Sequence, residues 1–276
     1  MATISSAVDH RAVEKLREEE LEEARAIQRV MLPVDVLCSG PVTIAHKFQP
    51  LDLVGGDFLD YFELPDGTIG FYLGDVSGKG LPAAMYAALA VGILRGIHKT
   101  GQSPANVLTT LNMRLTSRGG LRRHAAIVYG VFDPGSSQMS LASAGMPGPL
   151  IFSDENCRVL ELSGIPPGLF READYETVTV QLQPGESILL CSDGIVEAQN
   201  GQCEYFGVDR LIEVCTTGRG FYTSELLARI FAAVHDFTNG VQQHDDMAAP
   251  FFISDTDQTT ICGRRVTSAQ PRRLFN

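Results

Sequence analysis

The sequence contains no pair of cysteines in the CxxC spacing, although it has six cysteines in 276 residues. Zinc knuckles and thioredoxin-like redox sites both use that spacing, so the sequence supports neither. Cys191 and Cys215 stand within apolar runs, as buried free thiols do. We therefore expect a reducing compartment in which the thiols remain unpaired.

Long apolar segments are also missing. The N-terminus has no apolar signal-peptide core, and no uncharged apolar run approaches the ~20 residues of a membrane span. The most apolar stretch, Ala83–Ile97, is too short and contains Arg95. These absences predict a cytoplasmic protein that does not cross a membrane.

Basic residues are scarce, since 22 Lys and Arg stand against 33 Asp and Glu, for a net charge of −11. Nucleic-acid binding draws its affinity mainly from Lys and Arg on phosphates, so a nucleic-acid partner is disfavoured. Gly74–Gly80 is no P-loop, because only three residues separate Gly74 from Gly78 and a glycine follows Lys79. The GxSxG elbow of serine hydrolases and the HExxH pair of zinc hydrolases are absent as well.

Residues 11–32 predict a single helix, and Pro33 ends it because the residue before a proline disfavours the helical conformation. Charged side chains cover most of this helix and leave a thin apolar stripe. The stripe consists of Val13, Leu16, Ala24, Ile27 and Met31. Two interpretations stay open: a solvated surface helix with ion pairs, or a short coiled-coil segment towards a second protomer or an upstream domain. We expect the stripe to form a homodimer or to dock on other helices of the chain.

Short strands separated by turns dominate the rest of the chain. The predicted strands are Val42–Phe48, Phe58–Leu64, Thr68–Asp75, Ala125–Phe132, Gln138–Ser143, Pro149–Phe152, Arg158–Leu162, Thr177–Gln181 and Ser187–Cys191. The predicted helices are Pro82–Lys99, Pro104–Ser117, Val208–Cys215 and Ser224–Phe237. Blocks of strands and helices indicate an α+β fold, with helices on the outside of a sheet sandwich, rather than alternating βαβ units.

Four aspartates stand out because each lies in a turn or glycine-rich segment beside an apolar strand. They are Asp57, Asp75, Asp193 and Asp245. A carboxylate at the end of a buried strand is costly unless a partner offsets its desolvation, and Lys and Arg are scarce around all four. One such aspartate is usually only a turn residue, but four together favour Mg²⁺ or Mn²⁺, which prefer oxygen ligands.

Six motifs occur in the order GGDF, GDVSGKGLPAA, ASAGMPGPL, LQPGESILLCSDGIVEAQN, YFGVDRL and DDM. In this order they closely resemble bacterial SpoIIE/RsbU-type serine phosphatases, which belong to the metal-dependent (PPM, type 2C-like) protein phosphatases. The helix ELEEARAIQRVMLP resembles the linker helix that precedes the catalytic domain in that family. The resemblance extends over about Leu16–Met247.

This resemblance implies an α-β-β-α sandwich of two antiparallel sheets flanked by helices, with a site for two Mn²⁺ or Mg²⁺ ions. The implied ligands are Asp57, Asp75, Asp193, Asp245 and the backbone carbonyl of Val76. By motif match, Asp75 bridges both ions, the Val76 carbonyl binds one of them, and Asp57 binds directly or through water. Asp246 takes second rank as a ligand, because type 2C relatives often have Asn there.

The implied activity is the hydrolysis of phosphoserine or phosphothreonine on a protein. By the same resemblance, the substrate is a phosphorylated anti-sigma-factor antagonist, a STAS-domain protein, in a partner-switching pathway. Lys79 lies in the loop of Asp75, either as a contact for phosphate or as a solvent-facing lysine. The rival hypothesis is a degenerate module that binds the same partner without turnover.

The sequence departs from the family pattern in three places. Met146 stands where relatives usually have His, and Ala248 where they usually have Thr. Pro250 falls near the start of the expected final strand, where only an edge, a first position or a bulge tolerates proline.

The expected organisation is a linker helix over residues 1–33, a phosphatase domain over 34–253 and a disordered tail over 254–276.

Overall fold

A computed structural model describes residues 2–98, 102–117, 123–153, 156–217 and 223–254. Its helices are α1 (Ala2–Met31), α2 (Leu81–Ile97), α3 (Pro104–Thr116), α4 (Asp193–Val196), α5 (Gly207–Thr217) and α6 (Thr223–Thr238). Its strands are β1 (Val36–Ser39), β2 (Val42–Gln49), β3 (Phe58–Glu63), β4 (Ile69–Val76), β5 (Ala125–Asp133), β6 (Gln138–Ala144), β7 (Leu150–Phe152), β8 (Cys157–Val159), β9 (Val178–Gln181), β10 (Ser187–Leu189) and β11 (Met247–Ser254). All predicted elements are present, and β1 and α4 are two short elements that the sequence pattern did not predict.

The strands form two antiparallel sheets. One sheet has the order β1-β2-β11-β10-β7-β8 and the other has the order β3-β4-β5-β6-β9. Helices α5 and α6 cover the first sheet, whereas α2 and α3 cover the second. The predicted α+β class and the α-β-β-α order of layers are therefore confirmed.

Three apolar layers hold the sandwich together. Between the sheets, the rings of Phe71 and Phe252 pack with their centroids 4.6 Å apart. Tyr72 belongs to the layer under α2 and α3, while Phe251 and Ile230 belong to the layer under α6. Consecutive residues of β4 and of β11 thus face different layers, because side chains alternate between the two faces of a strand.

Helix α1 begins at Ala2, nine residues before the predicted start. No proline or glycine lies between Ala2 and the charged run, so nothing interrupts the helix there. At its other end, the Arg95 guanidinium of α2 donates to the Met31 carbonyl at 2.6 Å and to Asp60 Oδ2 at 2.9 Å. Helix α2 therefore fixes the C-terminus of α1 to the sandwich.

The predicted apolar stripe of α1 is half-buried at two of its residues and exposed at the other three. Ala24 and Met31 are half-buried, and Met31 packs against the core under α2. Val13, Leu16 and Ile27 are instead between 58% and 64% exposed. The five positions fall within about 80° of one another around the helix, so the division comes from their surroundings. Met31 lies against the core under α2, whereas Val13, Leu16 and Ile27 lie mostly in solvent.

Pro250 lies inside a central strand, which corrects the expectation that it would need an edge, a first position or a bulge. It is the fourth residue of β11, and β11 is flanked by β2 and β10. The Pro250 carbonyl accepts from the Leu190 amide at 3.1 Å, just beyond the end of β10. The N–H that proline lacks would point to this same side, so the strand gives up one hydrogen bond to Leu190. Pairing resumes two residues away, where the Ser192 amide donates to the Ala248 carbonyl at 2.9 Å.

Strand β11 extends to Ser254. The predicted disordered tail from residue 255 onward lies outside the described residues. Within the described ranges, no helix combines the length and the apolar character that crossing a bilayer requires.

Candidate active site

The four predicted aspartates lie where neighbouring strands of each sheet begin and end. Asp57 directly precedes β3, and Asp75 is the penultimate residue of β4, the antiparallel neighbour of β3. Asp193 begins α4 after β10, and Asp245 comes two residues before β11, the antiparallel neighbour of β10. An antiparallel pair puts the start of one strand beside the end of the other, so each sheet contributes two carboxylates to one edge of the sandwich.

Burial and mutual repulsion raise the pKa values of three of these carboxyl groups. Burial raises the pKa of Asp57 well above its usual range, and the charge of Asp75 adds to the effect. The pKa of Asp75 rises to about 7, first through burial and then through Asp193 and Asp245. Burial followed by the charge of Asp245 also raises the pKa of Asp193. The aspartates therefore form one electrostatic cluster that favours an added positive charge.

Asp246 contacts the backbone of the loop that carries Asp57. Its carboxylate is 4% exposed and accepts from three backbone amides: Leu51 at 2.7 Å, Gly56 at 2.5 Å and Asp57 at 3.3 Å. A Cβ atom on Gly55 would stand only 2.2 Å from the Asp246 carboxylate, which explains the glycine. Asp246 thus fixes the loop that carries Asp57, a role that sequence reasoning missed.

The oxygen atoms around the cluster suit a hard divalent cation. Asp57 Oδ2 is buried and has no hydrogen-bond partner among the described residues. A Cβ atom on Gly56 would lie 3.0 Å from the Val76 carbonyl oxygen and 3.4 Å from Asp75 Oδ1. The absence of a side chain at Gly56 therefore leaves space beside two oxygen atoms that could bind a cation. No three Asp, Glu, His or Cys side chains of the described residues already converge as a closed ligand set. Carboxylate and carbonyl oxygens are nevertheless the donors that Mg²⁺ and Mn²⁺ prefer.

Helix α1 reaches the loop of Asp57 through Gln28. The Gln28 side chain donates to the Gly55 carbonyl at 2.8 Å and accepts from the Gly55 amide at 3.1 Å. Gln28 is 5% exposed and follows the half-buried Leu21 and Ala24 at helical spacing. A glutamine on the buried face of an amphipathic helix was the signal that could have revealed this contact.

The loop after Asp75 is held from the opposite side by the start of β5. The Ser77 amide donates to the His124 carbonyl at 3.0 Å, and the His124 amide donates to Ser77 Oγ at 3.2 Å. The Arg123 guanidinium donates to the Ser77 carbonyl and covers Gly78. Neither Arg123 nor His124 stood out in the sequence, because no pattern linked them to a loop about 46 residues earlier.

Two residues that the sequence left in doubt have definite places. The Met146 side chain is buried in the core between the sheets, so it does not replace a polar contact at the site. Lys79 Nζ lies 3.1 Å from Asp245 Oδ2 and also donates to the His244 carbonyl. The lysine therefore pairs with one aspartate of the cluster, while about half of its side chain (47%) stays exposed to solvent.

The sequence model of the family described as Stage II sporulation protein E (SpoIIE) matches residues 65–250. The chain belongs to the SpoIIE family. The match includes Asp75, Asp193, Asp245 and Asp246, while Asp57 and α1 lie before it.

Two proteins and one solved structure are similar to this SpoIIE-family chain over most of its length. It is 28% identical to Protein IcfG of Synechocystis over 83% of the chain and 27% identical to RsbU of Bacillus subtilis, also over 83%. The chain spans 40% of the length of IcfG and 72% of that of RsbU. The SiaA-PP2C domain of Pseudomonas aeruginosa superposes with a TM-score of 0.75 at 26% identity, over 88% of this chain and 99% of that domain. The SpoIIE-family sandwich of this chain is thus a PP2C-type phosphatase fold.

Proposed function

We propose that this SpoIIE-family chain is a metal-dependent protein phosphatase that hydrolyses phosphoserine or phosphothreonine. The observation that carries the proposal is the partly buried aspartate cluster, which joins carboxylates from both sheets and leaves Asp57 Oδ2 without a hydrogen-bond partner among the described residues. RsbU of Bacillus subtilis, a relative over most of the chain, is named a phosphoserine phosphatase. The geometry and the relative point to the same chemistry.

The residues present fit two divalent cations. Asp75, the Val76 carbonyl and Asp57 would hold one ion, and Asp75, Asp193 and Asp245 would hold the other. Bound there, such ions supply an activated water and neutralise charge on a phosphoryl group. The chain itself contributes rigidity, because Asp246 orients the Asp57 loop through three amides. With water as the nucleophile, the products are the serine or threonine side chain and inorganic phosphate, without a covalent enzyme intermediate.

For the substrate, we infer a phosphorylated anti-sigma-factor antagonist of the STAS type, in a partner-switching pathway. The family membership supports this inference, since the chain shares its fold and its motif order with phosphatases of that kind. The exposed apolar residues of α1 support a second copy of the chain as a further partner. Val13, Leu16, Ile27 and Val30 lie at alternating spacings of three and four or their sums, as in a coiled-coil seam.

The test is the release of phosphate from p-nitrophenyl phosphate and from a phosphoserine protein, with and without Mn²⁺. We expect Mn²⁺-dependent turnover by the wild-type chain and by Asp236→Asn, a control with an exposed aspartate on α6. Asp193→Asn is expected to be inactive with both substrates. If the wild-type chain binds the phosphoprotein but releases no phosphate at saturating Mn²⁺, the degenerate binding module is the better description.

A further inference from the structure

The Lys79 side chain connects two loops across the mouth of the aspartate cluster. It stands four residues after Asp75, between Gly78 and Gly80, whose positive φ angles of 92° and 68° shape this tight loop. Its ammonium nitrogen is 3.1 Å from Asp245 Oδ2 and also donates to the His244 carbonyl. The first contact uses a carboxylate oxygen that the proposed function assigns to a cation.

The Lys79–Asp245 ion pair lies at a carboxylate that we propose as a ligand of a divalent cation. Among ion pairs of the described residues, Lys79–Asp245 is the one that involves an aspartate of the cluster. The Lys79 side chain is 47% exposed and that of Asp245 is 30% exposed, so the ammonium can leave for solvent without dismantling the core. An ammonium group and a divalent cation repel each other, and they compete for the same carboxylate lone pairs.

We propose that Lys79 is a built-in counter-ion that occupies Asp245 and competes with the divalent cation for this position. The inference rests on the proposed metal-dependent function and adds a residue that sets the metal affinity. Entry of a divalent cation at Asp245 requires the ammonium to swing away. The positive charge of Lys79 thereby keeps the cation affinity of this position lower than the carboxylates alone would make it.

The test measures Mn²⁺ affinity directly, without turnover, by titration calorimetry and by the electron paramagnetic resonance of free Mn²⁺. Lys79→Gln removes the charge but keeps a long polar side chain. For a partly exposed pair, we expect it to bind Mn²⁺ about three- to tenfold more tightly at the weaker position. Lys79→Arg keeps the charge and is expected to bind as the wild type does. Lys15→Gln, an exposed lysine on α1 that pairs with Glu19, makes the same change in net charge away from the cluster.

A second arm repeats Lys79→Gln in an Asp245→Asn background, where the gain in affinity should vanish because the contested carboxylate is gone. Equal Mn²⁺ affinities for the wild type and Lys79→Gln would overturn the inference while leaving the phosphatase proposal intact. A gain of the same size in Lys15→Gln, or an undiminished gain in the Asp245→Asn background, would also overturn it. If the wild-type chain binds no Mn²⁺ at all, the metal-dependent function itself fails.

Discussion

At the scale of single residues, the aspartates of the cluster lower the stability of the metal-free protein and at the same time favour the binding of positive charge. Asp75 shows this most clearly, because its pKa lies near 7 through burial and the charges of Asp193 and Asp245. A carboxyl group whose pKa is raised by folding binds protons more tightly in the folded state. Its ionisation therefore costs stability in the metal-free protein above the raised pKa.

Asp75→Asn is expected to remove this cost together with the activity. In a chelator at pH 8, the variant should be more stable than the wild type by on the order of 1–3 kcal/mol. The difference should shrink as the pH falls from 7 towards the unfolded-state pKa of ~3.9, because wild-type Asp75 then becomes protonated. Urea denaturation at pH 5 and pH 8 measures both values, and turnover should fall by on the order of 10²–10³-fold or more. A variant less stable than the wild type at pH 8 would contradict the electrostatic explanation.

Removing the Asp246 carboxylate should lower the stability of the protein, because this carboxylate accepts hydrogen bonds from backbone amides. Asp246→Ala leaves the amides of Leu51, Gly56 and Asp57 without their acceptor and should destabilise the protein by about 2–4 kcal/mol. Asp246→Asn retains one carbonyl acceptor and should cost less. Chemical denaturation of both variants in a chelator checks this order. Equal, small losses would contradict a stabilising role for these three hydrogen bonds.

At the scale of elements, helix α1 has two faces with separable roles. The buried face carries Gln28, which holds the Gly55 backbone beside Asp57. Another side of the helix carries Ile27 and Val30, which are 64% and 81% exposed. These two residues, which we propose to contact a second copy of the chain, are close to Gln28 in sequence, so matched substitutions can test each side alone.

Ile27→Lys together with Val30→Lys is expected to abolish self-association, because it puts like charges into the coiled-coil seam. The stability of the monomer should stay within about 0.5 kcal/mol, since these side chains are exposed. Gln28→Ala should instead leave self-association unchanged and lower turnover. It should also lower the free energy of unfolding by roughly 1–3 kcal/mol. Sedimentation velocity and phosphate release provide the two measurements. A Gln28→Ala protein with wild-type turnover and stability would show that α1 does not position the site.

At the scale of the whole molecule, the site joins the two sheets. Asp57 and Asp75 come from the sheet of β3 and β4, and Asp193 and Asp245 come from the sheet of β10 and β11. A cation shared by these carboxylates, as we propose, would link both halves of the sandwich. Removal of the metal should therefore act on global stability and not only on activity.

Mn²⁺ at a hundredfold excess over its dissociation constant is expected to raise the unfolding free energy by about 2.7 kcal/mol. Asp193→Asn should lose most of this gain, whereas the exposed control Asp236→Asn should keep it. Thermal or urea denaturation with Mn²⁺ and with a chelator gives the comparison. Equal stabilisation of all three proteins would mean that the ion binds elsewhere.

The sequence by itself determined the class of the fold, most elements and the four aspartates that meet at one edge. These features are local, since strand alternation, turn residues and motif order are read from neighbouring positions. The end of α1 at Met31, shortly before Pro33, and the end of β4 at Val76, beside the predicted Asp75, are examples in which a few adjacent residues suffice. The motif order further identified the family, which the match over residues 65–250 shows.

Only the tertiary structure decided which side chains support the site. Gln28 reaches Gly55 across 27 residues, and Asp246 reaches Leu51 across 195 residues. The acceptable place of Pro250 likewise depends on the hydrogen bonds that Leu190 and Ser192 donate to β11, and the split of the α1 stripe depends on where α2 packs. No local pattern encodes these contacts, because their stability comes from burial and hydrogen bonds that exist only after distant segments have assembled.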